Sequence, residues 1–200
     1  MGSPAANKKY SVAEYLALER GSPERYEYLD GEIFLMAGES REHADISSNL
    51  LREISTQLKG SACRAWTKDM KVRSGPAPES TATTKGMYSH PDIVVICGEP
   101  EFHDEHTDVL INPRLIVEVL SPSTEAFDRG TKFWRYRSWN QTLTDYLVVS
   151  QAEPFIEHFA RQPDGAWAIV GTYASLTDTL RIDAFGICIP LQEIYERVFA

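Results

Sequence analysis

The fold depends on two apolar stretches, "PDIVVIC" at residues 91–97 and "PRLIVEVL" at residues 113–120. Continuous apolar runs without polar alternation are typical of strands that are buried on both faces. Glu118 stands inside the second run. An ionised carboxylate in an apolar interior costs roughly several kcal/mol unless it is paired, protonated or bound to a cation. Glu118 therefore indicates a functional site, with a buried ion pair to Arg or Lys as the alternative.

Asp92, at the start of the first strand, is the expected partner of Glu118. If the two strands pair antiparallel, the start of one lies beside the end of the other, and the two carboxylates become neighbours. Neighbouring carboxylates disfavour each other's ionisation unless a cation lies between them. Oxygen ligands of this kind suit Mg²⁺ or Mn²⁺. The alternative is that Asp92 only ends a loop.

A helix predicted over about residues 126–139 would bring a cation to the same place. Asp128, Lys132 and Tyr136 follow at i, i+4 and i+8 and share one helix face. Because the chain enters this helix soon after Glu118, Lys132 is expected to reach a metal-bound water. On spacing alone, Asp128 and Lys132 would form a surface ion pair contributing about 0.3–0.5 kcal/mol, and Tyr136 would be a core residue.

The rest of the chain predicts a mixture of helices and strands. Ser11 and Glu14 form a capping box at a helix start, and Asp30-Gly31 marks a hairpin. Apolar residues at helical spacing predict a helix over residues 41–59, which Gly60 ends. Further strands are expected near residues 62–67, 69–73, 145–150, 154–160 and 165–173, and a terminal helix over residues 190–199. This order predicts an α/β (α+β) domain with a mixed sheet.

Composition narrows the class of protein. A chain of 200 residues with 42% hydrophobic residues suits one soluble globular domain. No segment approaches the ~18 apolar residues of a membrane span, and "MGSPAANKKY" (residues 1–10) lacks the apolar core of an export signal. Three scattered cysteines without CxxC spacing fit a reduced compartment. A cytoplasmic location is expected.

Two further segments carry weaker signals. The net charge of −9 provides no general basic surface for nucleic acid, and "RGTKFWRYRSW" (residues 129–139) is the one basic and aromatic stretch. It predicts either a phosphate-tracking surface or simply an amphipathic helix. His103 and His106 have the HxxH spacing of zinc ligands, but their acidic loop favours a solvated role.

Together these motifs resemble the Uma-type restriction endonuclease family, a branch of the PD-(D/E)XK nuclease superfamily. The resemblance covers nearly the whole chain. It is carried by "RYEYLDGEI" (25–33), His43, "HPDIVVI" (90–96), "PRLIVEVLSPST" (113–124), the Asp128, Lys132 and Tyr136 spacing, "DYLVVS" (145–150) and "IPLQEIYE" (189–196).

The resemblance implies one restriction-endonuclease-like domain over residues 1–200, with a central mixed sheet flanked by helices. It implies that Asp92 and Glu118 hold a divalent metal, Mg²⁺ or Mn²⁺, and that Glu27 is an accessory contact. His43 is an accessory candidate for the same cleft, although a histidine at a helix start is usually only solvated.

One position departs from the superfamily pattern, which has lysine two residues after the glutamate. Leu120 stands there, and Lys132 on the next helix is the expected substitute, with Asp128 orienting it and Tyr136 as an accessory residue. The implied reaction is hydrolysis of a DNA phosphodiester bond that leaves a 5′-phosphate.

Two other functions stay open at this stage. The acidic composition and the missing lysine favour a catalytically weak or inactive protein that uses a nuclease fold for binding or assembly. An RNA-directed or repair nuclease would differ only in its substrate. A homodimer is expected for a duplex substrate, because one domain carries one site and a duplex has two strands.

Overall fold

The two apolar stretches form neighbouring strands at the centre of a six-stranded mixed sheet. The computed structural model describes residues 8–36 and 38–199, so residues 1–7 of the N-terminal stretch considered for an export signal lie outside it. In spatial order the sheet consists of β11 (Trp167–Tyr173), β10 (Ile156–Arg161), β9 (Asp145–Ser150), β8 (Leu115–Leu120), β6 (Ile93–Cys97) and β3 (Cys63–Thr67). β8 and β9 run parallel, and the other neighbours run antiparallel.

A second mixed sheet of five strands packs beside the first. In spatial order it consists of β2 (Glu32–Leu35), β1 (Tyr26–Leu29), β5 (Met87–Ser89), β4 (Lys71–Ser74) and β7 (Val109–Leu110). A separate hairpin consists of β12 (Thr179–Ile182) and β13 (Ile187–Pro190). The strands predicted from the sequence are therefore confirmed, although they divide between two large sheets.

The helices lie on the faces of these sheets. They are α1 (Val12–Gly21), α2 (Arg41–Gln57), α3 (Glu125–Phe127), α4 (Phe133–Trp139) and α5 (Leu191–Ile194). The capping box is confirmed, because the Ser11 side chain accepts a hydrogen bond from the Glu14 backbone while the Glu14 side chain accepts one from Ser11. Among the described residues, no helix has both the length and the apolar character needed to cross a membrane.

Three sequence predictions need correction. The helix expected over residues 126–139 is interrupted by a π-helical turn, Asp128–Lys132, between α3 and α4. The terminal helix ends at Ile194, and Arg197 has a φ of 63°, a left-handed conformation that a helix cannot continue through. The sequence predicts reduced cysteines, but Cys63 and Cys97 lie opposite each other on β3 and β6 and form a disulfide.

Alternation along β8 separates two hydrophobic layers. Val117 and Val119 pack with the apolar stripe of α2, whereas Ile116 and Leu120 pack with α4 and the five-stranded sheet. Glu118 has the same parity as Ile116 and Leu120, so its side chain faces the layer that holds α4. The alternation of side chains along β8 therefore directs the Glu118 carboxylate toward α4 and away from α2.

We expect Ile116→Ala to lower the free energy of unfolding by about 2–5 kcal/mol, because it deletes a fully buried side chain between two sheets. The matched change Ile169→Ala, on the edge strand β11 where the side chain is 54% exposed, should cost under about 1 kcal/mol. Urea unfolding followed by circular dichroism measures both. Equal losses would contradict this assignment of the core.

Candidate active site

Asp92 and Glu118 are brought together by the register of β6 and β8. The strands pair antiparallel, and Ile93 lies opposite Val117, so the next step along each strand sets Asp92 beside Glu118. The backbone N–H of Val119 donates a hydrogen bond of 2.7 Å to Asp92 Oδ2. The strand register therefore sets the two residues side by side, and the backbone of β8 holds the Asp92 carboxylate in place.

Glu118 is almost completely buried and is held from the side of α4. Its Oε1 lies 3.0 Å from Lys132 Nζ and accepts a hydrogen bond of 3.2 Å from the Tyr136 hydroxyl. Ser89 Oγ lies 2.8 Å from that same hydroxyl, which fixes the tyrosine in turn. The alternative noted from the sequence, a buried ion pair, is present together with the acidic neighbours that a metal site requires.

Lys132 is the centre of the charged cluster. Besides Glu118, its Nζ lies 3.3 Å from Glu27 Oε1 and 3.4 Å from Asp128 Oδ1. Lys132, Glu118 and Asp128 are all buried, so Asp128 and Lys132 do not form the surface pair that their spacing alone suggested. One ammonium group therefore faces three carboxylates in an interior where water screens them poorly.

The π-helical turn presents Asp128 and Lys132 to the cleft. Short π-helical segments of this kind occur often at functional sites. The carbonyl oxygen of Asp128 accepts a hydrogen bond of 2.9 Å from the Tyr146 hydroxyl of β9. This contact anchors the irregular turn to the central sheet, so the lysine is held by a rigid element.

Burial and mutual repulsion shift the ionisation of this cluster. Burial raises the pKa of Glu118 well above its usual range, although Lys132 opposes the shift. Burial also raises the pKa of Asp128, again against the attraction of Lys132. Burial acts to lower the pKa of Lys132, but Glu118, Glu27 and Asp128 outweigh it and raise that pKa well above its usual value. Lys132 therefore stays charged, and protons remain on the carboxyl groups at higher pH than usual.

Glu27 reaches the cluster from the predicted hairpin. It lies on β1, in the five-stranded sheet, and its Oε1 accepts a hydrogen bond of 3.1 Å from the backbone N–H of His90. The accessory position expected for Glu27 is therefore close to Lys132. Since Glu118 belongs to the other sheet, Lys132 connects the two sheets across the cleft.

His43 lies on the opposite side of Asp92. Its Nε2 donates a hydrogen bond of 2.8 Å to Asp92 Oδ1, and its backbone N–H donates to the Oγ of Ser40, the residue that caps α2. The imidazole is buried rather than solvated as a histidine at a helix start usually is. Both oxygens of Asp92 are thus engaged by the protein, one by a backbone amide and the other by this ring.

Glu39 is a candidate ligand that the sequence analysis missed. Among the described residues, one group of three metal-ligating side chains has its ligand atoms within 4.8 Å of one another, namely Glu39, His43 and Asp92. The available signal was the i, i+4 spacing of Glu39 and His43 across the start of α2. Glu118 is not a member of this group, because its nearest contacts are Lys132 and Tyr136.

These residues line one cleft of about 280 Å³. Since a water molecule occupies about 30 Å³ in the liquid, the cleft has room for a phosphate group, a cation and several waters. Five carboxylates and one lysine line it, and its acidic members are Glu27, Glu39, Asp92, Glu118 and Asp128. This excess of oxygen ligands fits a hard divalent cation.

The basic segment of residues 129–139 is less available for phosphate than its composition suggests. Arg129 pairs with Glu125 and Glu157, Arg135 pairs with Asp30, and Lys132 is buried. Trp134 and Trp139 are about half exposed. Much of the positive charge of this segment is therefore already neutralised within the described part of the chain.

The loop histidines are not gathered into a metal site. His103 Nδ1 lies 2.9 Å from an Arg73 guanidinium nitrogen, and His106 is exposed. A neighbouring guanidinium disfavours a bound cation. His106 has the solvated role that the acidic loop suggested, whereas His103 is half-buried against the Tyr88 ring.

The fold and the acidic cleft define the class of restriction-endonuclease-like proteins. A family model described as "Uma2: Putative restriction endonuclease" matches residues 12–192, and the chain belongs to this family. A crystal structure titled as a putative nuclease belonging to DUF820 from Anabaena variabilis shares the fold, with a TM-score of 0.70 and 16% identity over 94% of this chain and 99% of that one.

Two relatives from Synechocystis sp. are similar over most of their length. One, an uncharacterized protein named slr1290, is 37% identical over 96% of this chain and 95% of its own. The other, sll1609, also uncharacterized, is 32% identical over 82% of this chain and 88% of its own.

We expect Lys132→Met to lower the free energy of unfolding by about 3–5 kcal/mol at pH 7, because it leaves the buried carboxylates of Glu118 and Asp128, and the partly buried one of Glu27, without their cation. Without Lys132 the raised pKa values of Glu118 and Asp128 rise further. A carboxyl group with a raised pKa in the folded state favours folding below its unfolded pKa and loses that contribution as the pH rises. The deficit should therefore be smaller at pH 4.5 than at pH 7.

Urea unfolding at both pH values measures this difference. The matched control is Lys59→Met, which removes an exposed lysine and should stay within about 0.5 kcal/mol of the wild type at either pH. A deficit that is independent of pH would contradict the proposed coupling between Lys132 and the carboxyl groups.

Proposed function

We propose that the protein is a divalent-cation-dependent endonuclease that hydrolyses DNA phosphodiester bonds. The observation that carries the proposal is the contact of Lys132 Nζ with Glu118 at the base of an acidic cleft, 3.0 Å apart. Membership of the restriction endonuclease family supports it, as does the placement of Asp92 beside Glu118 by the strand register.

Asp92 and Glu118 are the residues proposed to hold the cation, which would be Mg²⁺ or Mn²⁺. Their carboxylate chemistry and the acidic surplus of the cleft fit this group. When bound, a divalent cation lowers the pKa of a coordinated water and neutralises charge on a phosphate. Val119 and Tyr136 keep the two carboxylates oriented through the hydrogen bonds described above.

Lys132 is proposed to position the attacking water and to stabilise the negative charge that develops on the phosphoryl oxygens. A lysine two residues after the glutamate would come from β8, but Leu120 occupies that position and is buried. Lys132 delivers an ammonium group to Glu118 from the following turn instead. Asp128, Glu27 and Tyr136 restrict its position, and in-line attack would leave the phosphate on the 5′ end.

The acidic composition favours the rival function, a binding or assembly protein with weak or no activity. With a net charge of −9, affinity for DNA must come from the cleft, its cation and a few local side chains rather than from a general basic face.

We propose that the protein acts as a homodimer on duplex DNA, since each chain offers one such cleft.

The test is cleavage of a fluorescently labelled linear duplex and of a supercoiled plasmid with Mg²⁺ or Mn²⁺. We expect cation-dependent cleavage, and we expect Asp92→Asn, Glu118→Gln and Lys132→Met each to reduce it by about 10²-fold or more. Ligation of the product by DNA ligase without prior phosphorylation checks the 5′-phosphate.

Glu153→Gln, an exposed change outside the cleft, is the matched control and should retain full activity. Absence of cleavage by folded wild type across DNA and RNA substrates, combined with cation-independent DNA binding, would favour the rival function. Sedimentation in the presence of a duplex tests the homodimer.

We also propose a cytoplasmic location, where the DNA substrate is found. Reducing conditions there disfavour a bond such as Cys63–Cys97. Rapid alkylation of cell lysates followed by mass spectrometry should therefore modify all three cysteines, whereas the air-oxidised protein should be modified only at Cys188, the free cysteine. Protection of Cys63 and Cys97 in fresh lysate would contradict the cytoplasmic location.

A further inference from the structure

A second cavity lies on the outer face of the five-stranded sheet, away from the acidic cleft. Val72 of β4 packs in the layer between the two sheets. Since successive side chains of a strand face opposite sides, Arg73 faces the other side, where Tyr88 packs with α1. The cavity there has a volume of about 840 Å³, and no described residue lines both this cavity and the cleft.

Two walls of this cavity contain apolar residues. α1 presents Val12 and Leu16, which lie one helical turn apart, and the small side chain of Ala17 leaves room beside them. The loop after β4 forms another wall and includes Pro78. This loop is tied to α1, because the backbone N–H of Val12 donates a hydrogen bond of 2.8 Å to the carbonyl oxygen of Thr83. The apolar part of a ligand would therefore find two held surfaces to pack against.

Arg73 brings to this cavity a positive charge that no carboxylate of the described residues neutralises. The residue is half-buried, and its Nη1 lies 2.9 Å from His103 Nδ1. Arg20 also lines the cavity, but its Nη2 lies 2.9 Å from an Asp104 oxygen and 2.7 Å from an Asp108 oxygen. Arg20 and these two carboxylates therefore satisfy one another, whereas Arg73 can meet an anion from solution.

His103 holds the Arg73 guanidinium and adds a donor of its own. Burial lowers the pKa of His103, and the charge of Arg73 lowers it further although Asp104 opposes the shift. A neutral imidazole has one acceptor nitrogen and one donor nitrogen. Because His103 Nδ1 accepts the hydrogen bond from Arg73, Nε2 carries the proton. The same guanidinium that disfavours a cation at this histidine therefore favours an anion.

A buried hydroxyl beside this pair lacks a partner. Tyr88 lies opposite Arg73 in the register of β4 and β5, so the two side chains share one face of the sheet. The rings of Tyr88 and His103 pack edge to face, with 5.6 Å between their centroids. The Tyr88 hydroxyl is buried and has no hydrogen-bond partner among the described residues. Buried polar groups are seldom left in this state, which independently indicates a polar ligand here.

We propose that this cavity binds a small organic phosphate, namely a phosphate monoester with an apolar or aromatic body, such as a mononucleotide. A guanidinium binds phosphate through two parallel N–H···O hydrogen bonds, and the hydroxyls of Ser80 and Thr81, which also line the cavity, can donate as well. This number of donors suits the three terminal oxygens of a phosphate better than the two oxygens of a carboxylate. The site goes beyond the proposed function and does not depend on it.

The experiment is isothermal titration calorimetry of the full chain with 2′-deoxyadenosine 5′-monophosphate, in EDTA so that no divalent cation draws the nucleotide to the cleft. We expect one saturable binding event. 2′-Deoxyadenosine lacks the phosphate and inorganic phosphate lacks the apolar body, so each should bind about tenfold more weakly or worse. Benzoate, a carboxylate on an aromatic ring, should also bind more weakly than the nucleotide.

Two variants test the site by different routes. Arg73→Met should weaken nucleotide binding by about tenfold or more, because it removes charge-assisted hydrogen bonds. Ala17→Leu keeps every charge and should block the cavity sterically, since Ala17 is an exposed residue of α1 that lines it. Arg181→Met, an exposed change on β12, is the matched control and should bind like the wild type. Circular dichroism checks that each variant is folded.

The outcomes separate this cavity from the nuclease cleft. Nucleotide affinity that persists in Ala17→Leu, or in folded Arg73→Met, overturns the inference, because the nucleotide then binds elsewhere. Absence of nucleotide binding by the wild type overturns it as well, as does binding of inorganic phosphate or benzoate as tight as that of the nucleotide. Ala17→Leu should cleave DNA like the wild type, so a protein without nuclease activity that still binds the nucleotide here would support this site and contradict only the proposed function.

Discussion

The buried ammonium group of Lys132 is the interaction on which the site depends. It is surrounded by carboxylates from three places: Glu27 on the hairpin of the five-stranded sheet, Glu118 on the central sheet and Asp128 on its own helical segment. None of these charges would be stable in the interior without the others, because each alone carries the full cost of desolvation. Packing of the two sheets and α4 is therefore coupled to the charge balance of the cleft.

The remaining architecture follows from the alternation of side chains along β8, where successive residues face opposite sides of the sheet. One face of the strand is entirely apolar and packs with α2, while the other alternates apolar residues with Glu118. Because Lys132 comes from the following turn and not from this strand, Leu120 packs in the apolar layer. The irregular π-helical turn is what brings the ammonium group to the carboxylate from outside the sheet.

Much of the fold and of the candidate site could be predicted from the sequence. The informative patterns were short-range, or they placed a charged residue where burial is energetically costly. The capping box, the Asp30-Gly31 hairpin and the apolar strands are short-range patterns, and Glu118 is too costly in a strand to be incidental. The π-helical turn, the division into two sheets and the disulfide could not be predicted, since each depends on contacts between distant residues. Glu39 was missed because its partner Asp92 is far away in sequence.

The three origins of the carboxylates around Lys132 also bear on how the chain folds. Glu27 lies far from Lys132 in the chain, so the complete cluster includes a contact of high sequence separation that must follow the docking of both sheets. In a nascent or partly folded chain, Glu27 and Glu118 would be hydrated and apart from Lys132, and only Asp128, four residues away, could pair with it. The assembled centre is thus a property of the completed fold, and any chemistry it supports is withheld from the chain until folding has ended.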